Sequence, residues 1–293
     1  MSAGRGWLYF ALITTLSWGI WGALIELPEK NGFPATLGFC VWALTMLVPG
    51  IWSFKNAGWR VSTSPKNFLY GMLIGLAGAG GQLILFTSAL TLGPAYLIFP
   101  IISLSPILTI LMSYLFLKER VSKIVWMGIA LAVVSIPMLS YSTPESNTGS
   151  DLWWLIFALI VFIAWGIQAF YIKLANASMK AEEIFVYMTI CGLVLMPVAW
   201  WMTDFDQAIN YSWSGMYAAA GIQLLNSIGA IALVFALRHG KAIVVSPLTN
   251  SAAPLLTVLI SLFLYQFIPH VVILIGMVLA LVATFFIAYG EEK

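Results

Sequence analysis

The chain contains 293 residues, of which 61% are hydrophobic and only 8% are charged, and its formal net charge is +2. A soluble domain carries about 25% charged residues, so this chain has too little polar surface to cover a water-soluble globule. Its basic residues stand singly between apolar runs, which argues against a nucleic-acid partner. The composition therefore predicts a multi-pass protein that is surrounded by the lipid bilayer.

Ten apolar segments are long enough to cross a membrane, for which about 20 residues are needed. They cover approximately residues 7–27, 34–54, 67–90, 94–117, 121–141, 152–175, 183–203, 213–237, 241–265 and 268–289. The first segment is too long for the apolar region of a cleaved signal peptide, so we expect it to be retained. The predicted fold class is an all-α membrane protein with ten transmembrane helices and short connections.

Lysine and arginine residues are concentrated at one set of span ends. These ends carry Arg5, Lys55, Arg60, Lys66, Lys118, Arg120, Lys123, Lys173, Lys180, Arg238, Lys241 and Lys293. The opposite ends carry only Lys30 among the basic residues. Since basic residues mark the cytoplasmic side of a membrane protein, we predict that both termini are cytoplasmic. The short loops favour a bacterial cytoplasmic (inner) membrane.

The second half of the chain repeats landmarks of the first half at a nearly constant offset. The matched pairs are Trp18 with Trp165, Gly19 with Gly166, Pro100 with Pro247, Pro106 with Pro254, Thr109 with Thr257, and Gly128 with Gly276. The offset is 147 residues up to Pro100 and 148 residues from Pro106 onward. We therefore divide the chain into a first repeat (1–142), a polar linker (143–151) and a second repeat (152–293). Two repeats of five spans cross the membrane in opposite senses, which is the inverted-topology architecture of many secondary transporters.

Several features of the first half together resemble a known family. Ser17-Trp18-Gly19 opens the first span, Pro106 lies in the fourth, and Leu117-Lys118-Glu119-Arg120 is followed by Gly128. In these features the chain resembles EamA-type transporters of the drug/metabolite transporter superfamily. The resemblance implies metabolite export through a central cavity lined by spans 1, 3, 4, 6, 8 and 9, with spans 2, 5, 7 and 10 supporting it. The second half departs from the family pattern, because Tyr265-Gln266-Phe267 stands where an acidic turn usually recurs.

Catalytic signatures are missing from the sequence. It contains no HExxH, GxSxG or Walker A motif, so we do not expect an enzyme. Cys40 and Cys191 stand in separate apolar stretches, where cysteine usually behaves as a small hydrophobe. We therefore expect neither a metal site nor another cofactor.

Uncharged polar and aromatic residues occupy the middle of the spans. A charged group at a span centre costs about 2.5–3.5 kcal/mol, and no predicted span has one there. The predicted substrate-binding residues are Trp18, Trp21, Gln82, Ser103, Trp165, Gln168, Tyr171, Asn226, Thr249 and Asn250, with Ser105 and Gln223 as further polar candidates. Each has an alternative role, because serine and threonine also bond to their own helix, and glutamine and asparagine also join neighbouring helices.

Two pairs of equivalent positions carry different residues in the two halves. Trp21 corresponds to Gln168 at an offset of 147 residues, and this broken match suggests divergence for substrate recognition. Glu26 corresponds to Lys173, and inversion places these two charges at opposite mouths of the pathway. They are either gating groups or helix-end residues whose charged heads reach water.

Prolines are the predicted hinges of spans four and nine, because each removes a backbone hydrogen bond. These residues are Pro100, Pro106, Pro247 and Pro254. The second copy has one extra residue between its prolines, which rotates the following helix face by about 100°. Because the second copy is also the more polar, we expect span nine to carry more of the recognition and span four more of the bending.

The uncharged middle of the bundle restricts the small-molecule substrate. Strongly anionic substrates need a central cation, whereas cationic drugs or strict proton antiport need a central carboxylate. Neutral or zwitterionic metabolites fit best, with amino acids first and neutral sugars second, carried by alternating access. A channel is the weaker alternative, because the polar residues form no continuous stripe. A homodimer is compatible with the sequence but is not required by it.

Overall fold

The computed structural model describes residues 6–89, 101–102, 104–139, 141, 153–265 and 270–291, and all regular structure in these ranges is helical. Seven helical segments among them are long and apolar enough to cross a membrane by length and composition. Three shorter apolar helices lie where the sequence predicts the fourth, fifth and tenth spans. The all-helical, multi-pass architecture is confirmed, whereas the number of ten spans and the cytoplasmic termini stay predictions.

Twelve α-helices lie within the described ranges. They are α1 (Gly6–Leu24), α2 (Glu26–Lys30), α3 (Ala35–Thr45), α4 (Leu47–Asn56), α5 (Pro65–Ile84), α6 (Ser105–Phe116), α7 (Lys123–Leu139), α8 (Trp153–Ala175), α9 (Ala181–Trp201), α10 (Ala218–His239), α11 (Ala242–Tyr265) and α12 (Val271–Glu291). A π-helical turn follows α5 at Leu85–Ala89, and another precedes α10 at Trp213–Tyr217.

The first helix of each half packs against the third and fourth spans of the other half. Helix α1 contacts α10 and α11, and its counterpart α8 contacts α5 and α6. The remaining helices pair across the halves in the same way, α3 with α9 and α7 with α12. The spans that the family resemblance assigns to the cavity and those that it assigns to support both make contacts between the two halves.

Two equivalent glycines let these helices approach closely. A Cβ atom on Gly19 would lie 2.6 Å from Leu256 Cδ2, and a Cβ atom on Gly166 would lie 2.8 Å from Leu108 Cβ. Leu256 and Leu108 are themselves equivalent, at the offset of 148 residues. The same leucine-on-glycine contact thus occurs once in each direction between the halves.

Two of the predicted hinge prolines lie inside a continuous helix. Helix α11 runs without a break from Ala242 to Tyr265, through Pro247 and Pro254. Proline is tolerated inside membrane helices. Between these prolines, Thr249, Asn250 and Ser251 each donate to a carbonyl of α11, namely Val245 O, Ser246 O and Leu248 O.

The other two predicted hinges lie before or at the start of α6. Pro106 is in the first turn of this helix, where the missing N–H has no partner to lose. Pro100 lies outside the described residues.

The connections of the two halves meet at both ends of the bundle. At one end, Tyr187 Oη donates to Ser62 O at 2.8 Å and Lys241 Nζ donates to Arg120 O at 3.0 Å. We call this the basic end, because it holds Lys55, Arg60, Lys66, Lys118, Arg120, Lys123, Lys173, Lys180, Arg238 and Lys241. At the opposite end, Asn210 N donates to Gly32 O at 3.0 Å.

Candidate functional site

A cluster of two amides and an indole lies between α5 and α8. Gly78, Gly81 and Gln82 occupy one face of α5, because residues three and four apart are neighbours on a helix. The Gln168 amide covers Gly78, where an added Cβ would lie 2.0 Å from Gln168 Nε2. The Trp165 indole covers Gly81, where an added Cβ would lie 2.6 Å from Trp165 Nε1. We call Gln82, Trp165 and Gln168 the α5–α8 cluster.

Gln82 is the unusual member of this cluster. It is only 7% exposed, and its Nε2 atom has no hydrogen-bond partner among the described residues. A buried donor without an acceptor costs about 1–3 kcal/mol relative to a paired one. An acceptor on a bound molecule would recover this energy, which makes Gln82 the strongest candidate for a ligand contact.

An equivalent cluster lies between α1 and α10. The Trp18 ring covers Gly229, where an added Cβ would lie 2.4 Å from Trp18 Cδ1, and its Nε1 donates to Asn226 O at 3.3 Å. Trp21 Nε1 donates to Gln223 Oε1 at 3.1 Å. We call Trp18, Trp21, Gln223 and Asn226 the α1–α10 cluster. Here the polar groups of both indoles are paired within the protein.

The two clusters share a frame but differ in their polar groups. In each cluster a tryptophan lies on a glycine of the opposite half: Trp165 on Gly81, and Trp18 on Gly229. These two contacts match α5 with α10 at an offset of 148 residues, although the landmarks at Gly19 and Pro100 are matched at 147. The differing equivalents are Trp21 with Gln168 at 147 residues, and Asn226 with Gly78 and Ala230 with Gln82 at 148 residues. The repeat symmetry is therefore kept in the packing and lost in the hydrogen-bonding groups, and the unpaired donor lies on α5.

The remaining predicted residues have other surroundings. Tyr171 packs edge-on against Tyr70, with ring centroids 5.6 Å apart. Thr249 is fully buried and donates to Val245 O at 2.9 Å, and Asn250 Nδ2 donates to Ser246 O at 2.9 Å. Both bonds stay within α11. This is the alternative role given above for threonine, whereas the alternative given for asparagine was a bond to a neighbouring helix. Ser103 lies outside the described residues.

The two charges predicted at the mouths have different partners. Glu26 pairs with Lys30 one turn away at 2.5 Å, and both side chains are about two-thirds exposed, at 67% and 62%. Lys173 donates to Gly240 O and lies 4.0 Å from Glu119 Oε1. Only Lys173 is engaged by other elements of the bundle.

Two threonines that the sequence reasoning gave no role also join the halves. Thr109 Oγ1 donates to Gly166 O, and Thr257 Oγ1 donates to Gly19 O, both at 3.0 Å. The signal available in the sequence was their equivalence in the repeat. The sequence also gave no indication of the glycines beneath Trp18, Trp165 and Gln168, because a glycine that makes room for a side chain has no functional group that marks it.

An apolar groove elsewhere on the bundle is not a candidate for this site. It has a volume of about 380 Å³ and lies between α1, α4 and α10. Its lining is entirely apolar and includes Val48 and Trp52, whose side chains are exposed. Among the described residues, no group of acidic, histidine or cysteine side chains could hold a metal ion.

Two equivalent halves of apolar helices, packed against each other, define a multi-pass membrane protein built from a repeat. Residues 5–141 and 152–289 each match the model of the EamA-like transporter family. The chain belongs to this family, as its sequence features indicated. The family is one of membrane transporters in the drug/metabolite transporter superfamily.

Known proteins similar to the chain include a curated relative and a solved structure. Protein LicB of Haemophilus influenzae is 28% identical over 200 residues, which cover 64% of this chain and 64% of LicB. A protein crystal structure with 16% sequence identity superposes with a TM-score of 0.77, over 96% of this chain and 98% of that one. At this identity the crystal structure supports the fold alone.

Proposed function

We propose that the protein is a secondary carrier that moves small neutral or zwitterionic metabolites by alternating access, with amino acids as the leading substrates and export as the direction. The observation that carries this proposal is Gln82, whose buried Nε2 has no hydrogen-bond partner among the described residues, and which lies on the face of α5 where Gln168 and Trp165 of the other half cover Gly78 and Gly81. When the two halves move relative to each other, a site between them can open first to one side of the membrane and then to the other.

The α5–α8 cluster supplies the contacts that such a substrate needs. Gln82 Nε2 donates to a carboxylate or carbonyl oxygen, and the Gln168 amide offers both a donor and an acceptor. The Trp165 indole offers a flat apolar face for the rest of the molecule. Because Gly78 and Gly81 place no side chain beneath these groups, the Gln168 amide and the Trp165 ring lie directly against the backbone of α5, on the same helix face as Gln82.

Charge supports this substrate class. Within the described part of the chain, acidic and basic residues lie at or near helix ends and in connections, and neither cluster contains one. A neutral or zwitterionic molecule leaves no net charge uncompensated at such a site, whereas an anion or cation does. Neutral sugars are the second candidate, because an indole face combined with amides also suits a hydroxyl-rich ring.

Substrate counterflow in proteoliposomes tests the proposal. The purified protein is reconstituted with unlabelled substrate inside, and uptake of radiolabelled amino acids and neutral sugars is measured. We expect saturable accumulation of at least one amino acid. Accumulation of sugars alone would favour the second candidate. Flux that rises linearly with substrate concentration, without counterflow, would contradict the carrier hypothesis and favour a channel.

A pair of glutamine variants tests the site. Gln82→Leu should reduce counterflow at low substrate concentration at least tenfold, with normal expression. The matched control is Gln207→Leu, which changes an exposed glutamine in the connection between α9 and α10 and should leave counterflow unchanged. Equal counterflow in the Gln82→Leu and wild-type proteins would remove Gln82 from the site.

We also propose that the basic end faces the cytoplasm and that the membrane is a bacterial inner membrane. The basic residues at that end support this orientation. In inside-out and right-side-out vesicles, a cysteine introduced by Lys118→Cys should react with a membrane-impermeant maleimide only from the cytoplasmic side. Reaction from the outer side would reverse the orientation.

A further inference from the structure

A carboxylate of the first half caps a helix of the second half at the basic end. Glu119 lies in the turn between α6 and α7. Its Oε1 accepts a hydrogen bond from Ala242 N at 3.2 Å, and its Oε2 accepts one from Ile243 N at 3.0 Å. These are the first two residues of α11. The first amides of a helix have no acceptor within the helix and favour a negative charge, so Glu119 serves as a cap that comes from another element.

Lys173 makes this cap part of a larger polar connection. Its Nζ donates to Gly240 O and lies 4.0 Å from Glu119 Oε1. The Lys173 side chain is 23% exposed and the Glu119 side chain is 10% exposed, so both charges are largely withdrawn from water. Withdrawn charges depend on each other, because the loss of either leaves the other uncompensated.

A separate contact joins the same two connections. Lys241 Nζ of the second half donates to Arg120 O of the first half at 3.0 Å. The guanidinium of Arg120 lies 4.2 Å from the centroid of the Tyr114 ring, which holds the turn against α6. The turn of the first half therefore contacts the start of α11 through both a side chain and the backbone.

The backbone of the turn aims Glu119 at α11. Lys118 adopts a left-handed conformation with φ of 55°, and Glu119 N donates to Ser113 O at 3.2 Å. This pattern ends helices with the left-handed residue at the first position after the cap. Glycine usually occupies that position. The lysine here keeps the same turn, and the turn places the next side chain over the N-terminus of α11.

The equivalent positions at the opposite end carry different groups. Phe267 is equivalent to Glu119 at the offset of 148 residues, and Glu26 is equivalent to Lys173 at 147 residues. Glu26 pairs with Lys30 of its own helix, and both are largely exposed. A phenylalanine cannot accept hydrogen bonds from helix amides. Within the part of the chain that the structure describes, the Glu119–Lys173 connection therefore has no counterpart of the same residue types.

We infer that Glu119 and Lys173 form a latch that closes the basic end and must open in every transport cycle. This inference rests on alternating access, because only then do the halves separate at that end. Opening separates Glu119 from the amides of α11 and from Lys173 together. Loss of either residue shifts the population of the carrier toward the state that is open at the basic end.

Distance measurements between spin labels test the latch without a substrate. Labels are attached at Lys123→Cys and Lys180→Cys, which are exposed positions in different halves, with Cys40→Ala and Cys191→Ala removing the native thiols. In lipid nanodiscs, Glu119→Gln and Lys173→Met should each raise the long-distance population at least threefold. The control Glu182→Gln removes a carboxylate from the first turn of α9 and should leave the distances unchanged. Unchanged distances in both latch variants would overturn the inference.

A cross-link provides a second test that does not depend on the stability of these variants. Arg120→Cys and Lys241→Cys are joined by a short reversible methanethiosulfonate cross-linker. Counterflow should stop in the cross-linked protein and return after reduction. Full counterflow with the cross-link in place would overturn the latch, whereas a wild-type protein without any counterflow would instead refute the proposed function.

Discussion

Thr109 of α6 donates a 3.0 Å hydrogen bond from its hydroxyl to the carbonyl of Gly166 in α8. Thr257 of α11 makes the same bond to Gly19 of α1, at the same distance. Each bond crosses between the halves, and each glycine is the one on which a leucine of the opposite half rests. One docking arrangement has thus been kept in both copies of the repeat.

These bonds predict paired losses of stability. Thr109→Val and Thr257→Val keep the side-chain shape and remove the hydroxyl, so each should lower the free energy of unfolding by about 0.5–1.5 kcal/mol. Because the sites are separate, the double variant should show the sum. Thermal unfolding in detergent, followed by tryptophan fluorescence, measures this. The control is Thr284→Val, whose hydroxyl bonds only to Ala280 O in its own helix. A control loss as large as either test loss would contradict the docking role.

A second prediction concerns the space that Gly78 leaves for Gln168. Gly78→Ala places a methyl group 2.0 Å from the present position of Gln168 Nε2, so the amide must move. We expect a rise of at least fivefold in the KM for counterflow, with a smaller change in the maximal rate. Gly80→Ala is the matched control, because an added Cβ there meets no atom within 4 Å. Parallel changes in both variants would show that helix α5, not the cluster, is being perturbed.

The two buried glutamines should respond to leucine with opposite signs. Gln82→Leu removes a donor without a partner and should stabilise the substrate-free protein by about 1–3 kcal/mol, while abolishing stabilisation by substrate. Gln223→Leu leaves Trp21 Nε1 without its acceptor and should destabilise the protein by a similar amount. Melting temperatures with and without substrate separate these effects. Destabilisation by Gln82→Leu would mean that its amide is already paired.

The left-handed residue Lys118 offers a test of the turn before α7. Lys118→Gly should retain or raise stability, because the left-handed conformation costs roughly 1 kcal/mol for a residue with a side chain. Lys118→Val should lower stability, because branching at Cβ disfavours this conformation. Thermal unfolding of both variants checks the sign. A destabilising Lys118→Gly would show that the lysine side chain itself holds the turn.

The pattern of apolar runs was sufficient to predict the helices, and the offset of 147 to 148 residues was sufficient to predict which positions are equivalent. Trp18 and Trp165 illustrate this success, because they rest on equivalent glycines of opposite halves. What the sequence could not show is which face of each helix meets another helix. Membrane helices are apolar on every side, so periodicity does not separate lipid-facing from protein-facing positions.

Span nine shows the cost of this ambiguity. Its polar run suggested recognition, but the hydroxyl of Thr249 and the amide of Asn250 bond to their own helix. Gln82 Nε2, one of several buried donors without a partner among the described residues, lies on α5 instead. The role of Glu119 was equally hidden, because its hydrogen-bond partners lie 123 and 124 residues away. Contacts at such separations follow from the packing of the halves and leave no local trace in the sequence.

The cap that Glu119 places on α11 has a consequence for transport kinetics. An ion pair at one end makes the two end states of a nearly symmetric carrier unequal in free energy. The pair is restored in every cycle, so detailed balance prevents it from altering how far a substrate accumulates at equilibrium. The ion pair alters the relative populations of the two conformations of the substrate-free carrier. Half-saturating concentrations measured from the two faces should therefore differ, while the ratio of kcat/KM between the faces stays fixed by the driving gradients alone.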